Sequence, residues 1–143
     1  MNQLYIYIPV IVVVLSNTLY HISAKSAPAE INPFASLSVT YLVGAVASLL
    51  MYFVTRTEGS LFDEYHHLNW SSFVLGIAIV GLEAGFLYMY RMGWEISTGQ
   101  IVTSAVLAAV LIVVGWLFYH EALTLTKVAG IAVCLVGLYL INK

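Results

Sequence analysis

Charge is what this sequence lacks most. Only 8% of its 143 residues are Asp, Glu, Lys or Arg, and 62% are hydrophobic, whereas soluble domains carry about a quarter charged residues. The formal net charge of −2 is too small to indicate nucleic acid or an acidic lipid surface as a partner. The composition excludes a soluble domain and predicts a single membrane domain over residues 1–143, surrounded by the lipid bilayer.

Cysteine is almost absent, and so are the marks of secretion. Cys134 is the single cysteine, which excludes an intrachain disulfide, and its apolar neighbours favour a small buried hydrophobe. The N-terminus lacks the positive start and the small-residue cleavage site of a signal peptide. We therefore expect the first apolar run to be retained.

Motifs for enzymatic chemistry are missing as well. His120-Glu121 is followed by Thr124, so the zinc-protease pattern His-Glu-x-x-His is not formed. Nothing resembles a nucleophile elbow or a glycine loop that binds phosphate. The polar stretch around His66 and His67 has residues of ligand type, but a hydrophilic loop has these by default. We expect no enzymatic activity, metal or cofactor.

Long apolar runs are what the sequence has instead. A helix needs about 20 mostly apolar residues to cross the hydrocarbon core, and a bilayer cannot hydrogen-bond an exposed backbone. The sequence therefore predicts an all-α membrane protein with five transmembrane helices and its N and C termini on opposite sides. Their predicted bounds are about 4–23, 34–55, 71–91, 97–118 and 125–142. Asn69, just before Trp70, is predicted to cap the third of them.

The cationic residues divide almost evenly between the two sides of such a bundle. Arg56 and Lys127 fall on the side of the N-terminus, and Lys25, Arg91 and Lys143 on the other. Since the Lys/Arg bias of the loops sets orientation, a chain with so little bias can insert both ways. Two chains could then pair as an antiparallel dimer, the symmetry of transporters with inverted repeats. A fixed orientation set by the lipid or by the first helix is the open alternative.

The last two predicted helices carry a more specific pattern. The run Gly115-Trp-Leu-Phe-Tyr-His-Glu121 is followed by a predicted helix that has glycine at positions 130 and 137, seven residues apart. This resembles the end of the five-helix repeat of the drug/metabolite transporter superfamily, EamA type. Leu15-Ser-Asn-Thr-Leu-Tyr-His21 is similar, more loosely, to the family's first helix. The resemblance implies a structural role for Glu121, such as capping the start of the last helix.

The resemblance also implies an assembly. Most relatives carry ten helices as two such units, whereas this chain has one, so the partner is expected to be a second copy or a diverged paralogue. The chain also looks like a larger cousin of the small multidrug resistance exporters, which have four helices. Their essential carboxylate lies in the first helix, and the first helix here has none.

One carboxylate, Glu83, lies near the middle of the third apolar run. Gly81 and Gly85 form a Gly-x-x-x-Gly seam about 200° around the helix from it, and such a seam can pack against a neighbouring helix. Phe86 and Tyr90 share the face of Glu83. We predict that Glu83 faces a cavity where it holds a proton or a cationic substrate; a purely structural, hydrogen-bonding Glu is the alternative.

Other polar residues of the helices are candidates to line the same cavity. Asn17 and His21 share one face of the first helix, although interhelical hydrogen bonds explain them as well. The predicted substrate- or proton-binding residues are Glu83, Tyr90, Phe86, Asn17, His21, Gln100 and Tyr41.

The leading functional hypothesis is a secondary transporter, in the exporting direction, of a small organic metabolite or cation. It would work by alternating access as an antiparallel homodimer, with proton coupling assigned to Glu83. We expect it in the plasma membrane of a prokaryote. An accessory or scaffold subunit without transport of its own is the main alternative. A membrane enzyme acting on a lipid-linked substrate is a third.

Overall fold

The structure is a computed structural model that describes residues 4–56, 59–122 and 124–141. All the regular secondary structure in these ranges is helical. Five helices are long and one is a single short turn: α1 Leu4–Lys25, α2 Pro33–Thr55, α3 Leu61–Tyr65, α4 Trp70–Arg91, α5 Ile96–Tyr119 and α6 Leu125–Ile141. The long helices begin and end within two residues of the predicted bounds; predicted residue 142 lies outside the described residues.

Four of these helices, α1, α2, α4 and α5, are long and apolar enough to cross a membrane. The protein is therefore all-α with several candidate membrane crossings. The fifth predicted crossing, α6, has 17 residues, at the lower end of the length that spans a bilayer. Its crossing, and with it the placement of the termini on opposite sides, stays a prediction.

The helix starts are set by side chains that accept from free backbone N–H groups. The Asn32 side chain accepts from Phe34 N at 2.9 Å, with Pro33 at the first helical position. Asn69 accepts from Ser71 N at 2.9 Å, as predicted for the cap of α4. Because the first N–H groups of a helix have no partner within it, these caps fix where α2 and α4 begin.

The chain divides into two compact units, one ending at Arg91 and one starting at Met92. In the first unit, α4 packs against both α1 and α2. Its buried centre consists of Leu37 from α2 with Ala84 and Leu87 from α4. Most other large apolar side chains of these helices are exposed, as expected where lipid tails take the place of a protein core.

In the second unit, α5 packs against α6. His120 ends α5 in the left-handed conformation, with φ of 52°, and Glu121 N donates to Gly115 O at 3.0 Å. Lys127 N donates to the Thr124 side chain at 3.3 Å, so Thr124 caps the start of α6. Glu121 instead forms an ion pair with Lys127 Nζ at 3.1 Å, a structural role of another kind from the expected cap.

A substitution at Gly115 tests the packing of the connection between α5 and α6. A Cβ at Gly115 would lie 3.1 Å from the Glu121 carboxyl, whereas a Cβ at Gly130 meets nothing within 4 Å. We expect Gly130→Ala to raise the free energy of unfolding by up to about 1 kcal/mol through helix propensity. Gly115→Ala should lose that gain, because Glu121 must leave an ion pair worth about 0–1 kcal/mol.

The measurement is the free energy of unfolding in mixed micelles by detergent titration. In a Glu121→Ala background the obstacle is gone, and Gly115→Ala should then match Gly130→Ala. An equal rise in the free energy of unfolding for Gly115→Ala and Gly130→Ala, each in the otherwise unchanged chain, would contradict this account of the α5–α6 connection.

Candidate functional site

Glu83 lies on α4 and lines a cavity of about 120 Å³ in the first unit. The wall is formed by three helices, and its polar and apolar members include Tyr20 and Ser23 of α1, Ser36 and Thr40 of α2, and Leu87 of α4. Ala84 and Leu87, next to Glu83 on the helix, are buried against α2. The contact face of α4 is therefore the face that carries the carboxylate.

Glu83 is the one Asp or Glu inside the five long helices. An ionisable side chain at the centre of a transmembrane helix costs about 2.5–3.5 kcal/mol on insertion scales. Such residues face a bundle interior or a water-filled cavity rather than lipid. The half-buried placement of Glu83 in a cavity wall fits that physical requirement.

Two phenol groups accompany the carboxylate. Tyr20 of α1 and Tyr41 of α2 both lie close enough to Glu83 to interact electrostatically. Both hydroxyls are shielded from solvent. The Tyr20 hydroxyl has no hydrogen-bond partner among the described residues, whereas the Tyr41 hydroxyl lies near enough to the Glu83 carboxyl to donate to it. An unsatisfied buried hydroxyl costs about 1–3 kcal/mol, so this arrangement leaves polar capacity beside Glu83 that a bound group can use.

An aromatic cluster adjoins the cavity at Tyr20. It consists of Tyr20, His21, Phe86 and Tyr90. The ring centroids of His21 and Phe86 are 4.8 Å apart, those of Tyr20 and Phe86 5.9 Å, and those of Phe86 and Tyr90 6.0 Å. His21 is only 4% exposed, and its Nδ1 is 2.7 Å from Tyr90 Oη in a hydrogen bond. This cluster joins the last turns of α1 to the last turns of α4.

Two cations fasten the same end of the unit. Lys25 Nζ lies 5.6 Å from the centroid of the Tyr90 ring and 3.5 Å from the Tyr90 carbonyl oxygen. Arg91 Nη2 donates to the carbonyls of Pro28 at 3.0 Å and Ile31 at 2.7 Å. These bonds connect the α1–α2 loop to the C-terminal end of α4. Cations at that end also interact favourably with the helix dipole.

The sequence-predicted residues are distributed as follows. Glu83 and Tyr41 lie together, and His21, Phe86 and Tyr90 form the adjoining cluster, which reaches the cavity through Tyr20. Asn17 is exposed on α1 and lies outside these contacts. Gln100 belongs to the second unit, where its Nε2 donates to Ser104 Oγ at 3.1 Å.

Tyr20 is the site residue that the sequence does not predict. A signal existed, because Tyr20 is next to His21 in the first helix. Nothing in one sequence, however, gives the register of α1 against α4, and that register is what brings Tyr20 to Glu83.

A bundle of apolar, membrane-length helices around one intramembrane carboxylate defines a multi-pass membrane protein. The model of the EamA-like transporter family matches residues 4–143. The chain therefore belongs to the EamA-like transporter family, a family of membrane transporters, in agreement with the resemblance to the drug/metabolite transporter superfamily. No curated protein and no solved structure matches the chain.

The His21–Tyr90 hydrogen bond should stabilise the contact of α1 with α4. Tyr90→Phe removes Oη and leaves the buried His21 Nδ1 without that bond, so we expect the free energy of unfolding to fall by about 1–3 kcal/mol. Tyr88→Phe, which changes a tyrosine 44% exposed on the same helix, is the matched control and should have little effect. Detergent titration of both purified variants measures this, and equal stabilities would show that the bond contributes nothing.

Proposed function

We propose that the chain is a secondary transporter that exports a small organic metabolite or cation by alternating access. The observation that carries this proposal is Glu83, the one carboxylate of the long helices, in the wall of a cavity between three helices. Membership of a transporter family agrees with it. A carboxylate in the bilayer is costly and marks a substrate or ion pathway by default.

Proton coupling follows from a single carboxylate with two competing occupants. A proton and a cationic group cannot both neutralise Glu83, so binding of one displaces the other. If the site opens alternately to the two sides, each cycle exchanges protons for substrate. No second carboxylate within the long helices is needed for such an exchange.

The transporter is proposed to act as an antiparallel homodimer. Two features support this: the loop cations are almost evenly divided between the two sides, and α4 presents an uncovered small-residue face. A Cβ at Gly81 or Gly85 would meet nothing within 4 Å, so the described residues leave this seam open. Small residues let two membrane helices approach closely, which suits the seam to a helix of a second copy. A diverged paralogue in the second position is the heterodimeric form of the same proposal.

Proton release tests the role of Glu83. Purified protein in weakly buffered detergent near neutral pH should release protons when a bound substrate replaces them. We expect this release from a panel of small organic cations and neutral metabolites, and we expect Glu83→Gln to abolish it. Glu64→Gln, which changes an exposed carboxylate of α3, is the control and should release protons as the unchanged chain does.

Two results would count against this role. If a ligand binds equally to the unchanged chain and to Glu83→Gln without proton release, Glu83 is a structural residue. If no ligand of the panel binds or releases protons, an accessory subunit becomes the better description.

Orientation in the membrane tests the antiparallel dimer. Single cysteines at Ala29→Cys and at Glu64→Cys, each in a Cys134→Ala background, place one thiol in the α1–α2 loop and one in α3. Both should be labelled to about one half by a membrane-impermeant maleimide on intact cells, with full labelling after permeabilisation. Complete labelling of one position and none of the other would establish a fixed orientation and rule out an antiparallel homodimer.

A further inference from the structure

We propose that Tyr20 and Tyr41 complete, with Glu83, a site selective for a compact cation that carries N–H donors, such as a primary ammonium group. The inference deepens the proposed function by naming the substrate class, and it rests on that function only for the consequence that the cation is transported. Binding itself can be tested independently.

The first step is the arrangement of the three side chains. Tyr20 lines the cavity from α1 together with Glu83 from α4. Tyr41 of α2 packs against the cluster of Leu37, Ala84 and Leu87, which flanks Glu83. The two phenols thus lie near one carboxylate and come from two different helices.

The second step is the unused hydrogen-bonding capacity. The Tyr20 hydroxyl, shielded from solvent, has no hydrogen-bond partner among the described residues, and the oxygen of Tyr41, whose hydroxyl is near enough to donate to Glu83, has unused acceptor capacity. An ammonium group has three N–H donors and no acceptor. A carboxylate oxygen and two phenol oxygens are three acceptors, so small adjustments of these side chains can satisfy all three donors at once.

The third step excludes a quaternary ammonium as the preferred ligand. Such a cation has no N–H and is recognised by aromatic ring faces. In the adjoining cluster the rings of Phe86 and Tyr90 stack on each other, and Lys25 Nζ already lies over the Tyr90 ring. The cluster therefore offers a quaternary cation little free ring surface, and such a cation has no N–H to donate to the oxygens beside Glu83.

The fourth step is size. A cavity of about 120 Å³ holds the volume of about four water molecules. That accommodates a cationic head with a short carbon chain, whereas a large polyaromatic cation does not fit without rearrangement of the helices. Charge, donors and size together indicate a small primary amine.

The test compares two probes of equal charge and chain length, n-butylammonium and n-butyltrimethylammonium. Equilibrium dialysis of the labelled probes against the full chain in lipid nanodiscs gives their dissociation constants. We expect n-butylammonium to bind at least about tenfold more tightly, because each hydrogen bond contributes about threefold to tenfold. This comparison needs no substitution, so it does not depend on the folding of any variant.

Substitutions then assign the selectivity to residues. Tyr20→Phe and Tyr41→Phe each remove one oxygen and should weaken n-butylammonium binding by about threefold to tenfold while leaving n-butyltrimethylammonium unchanged. Tyr88→Phe is the control and should change neither, and Glu83→Gln should weaken both. Equal binding of the two probes, tighter binding of the quaternary probe, no binding of either, or no effect of both phenylalanines would overturn the proposal.

Flux separates this inference from the proposed function. Selective binding without exchange of n-butylammonium for protons in proteoliposomes leaves the site standing and removes the transport role. Proton-coupled flux that depends on Glu83 but does not distinguish the two probes supports transport and overturns the substrate class.

Discussion

The cost of keeping a carboxylate inside a helix that crosses hydrocarbon shapes the first unit of this protein. Glu83 can be tolerated only where other helices shield it from lipid. The small side chain of Ala84 and the apolar Leu87 let α2 pack against α4 on the same face. Tyr20 of α1 reaches Glu83 from another direction. Within the first unit, the protein contacts of α4 are concentrated where the charge is.

The same packing gives the first unit two distinct regions: the cavity at Glu83, and the end near the α1–α2 loop, where hydrogen bonds join the helices. Near Glu83, the Tyr20 hydroxyl has no partner among the described residues, and the Tyr41 oxygen has unused acceptor capacity. Toward the α1–α2 loop, the His21–Tyr90 bond and the two carbonyl bonds of Arg91 join α1, α4 and the loop. Hydrogen bonds across the helices therefore supply stability at the loop end, whereas phenol oxygens with unused acceptor capacity lie beside the carboxylate. Such unused capacity is what a binding site requires, because a site whose polar groups satisfy one another has little to offer a ligand.

Sequence alone could predict the helices and the inward face of α4, but not which residues of other helices meet it. Run length and the caps at Asn32 and Asn69 fix the helix bounds, since bilayer thickness and free N–H groups are local constraints. The helical period places Leu87 and Tyr90 with Glu83. The register between helices depends on packing, however, so Tyr20 was passed over. Asn17 and His21 share a face, yet one is exposed and the other buried, because α1 contacts α4 through its last turns.

The two faces of α4 carry different kinds of residue, and this bears on how a dimer would work. Glu83, Ala84 and Leu87 face α1 and α2. Gly81 and Gly85 each lie about 160° from Glu83 by the shorter path, in open space. If a second copy packs on the glycine seam, α4 becomes the one helix that touches both the partner and the cavity. A shift of the partner along that seam would then move Glu83 relative to Tyr20 and Tyr41. A movement at the dimer interface would then reach the binding site through α4 alone.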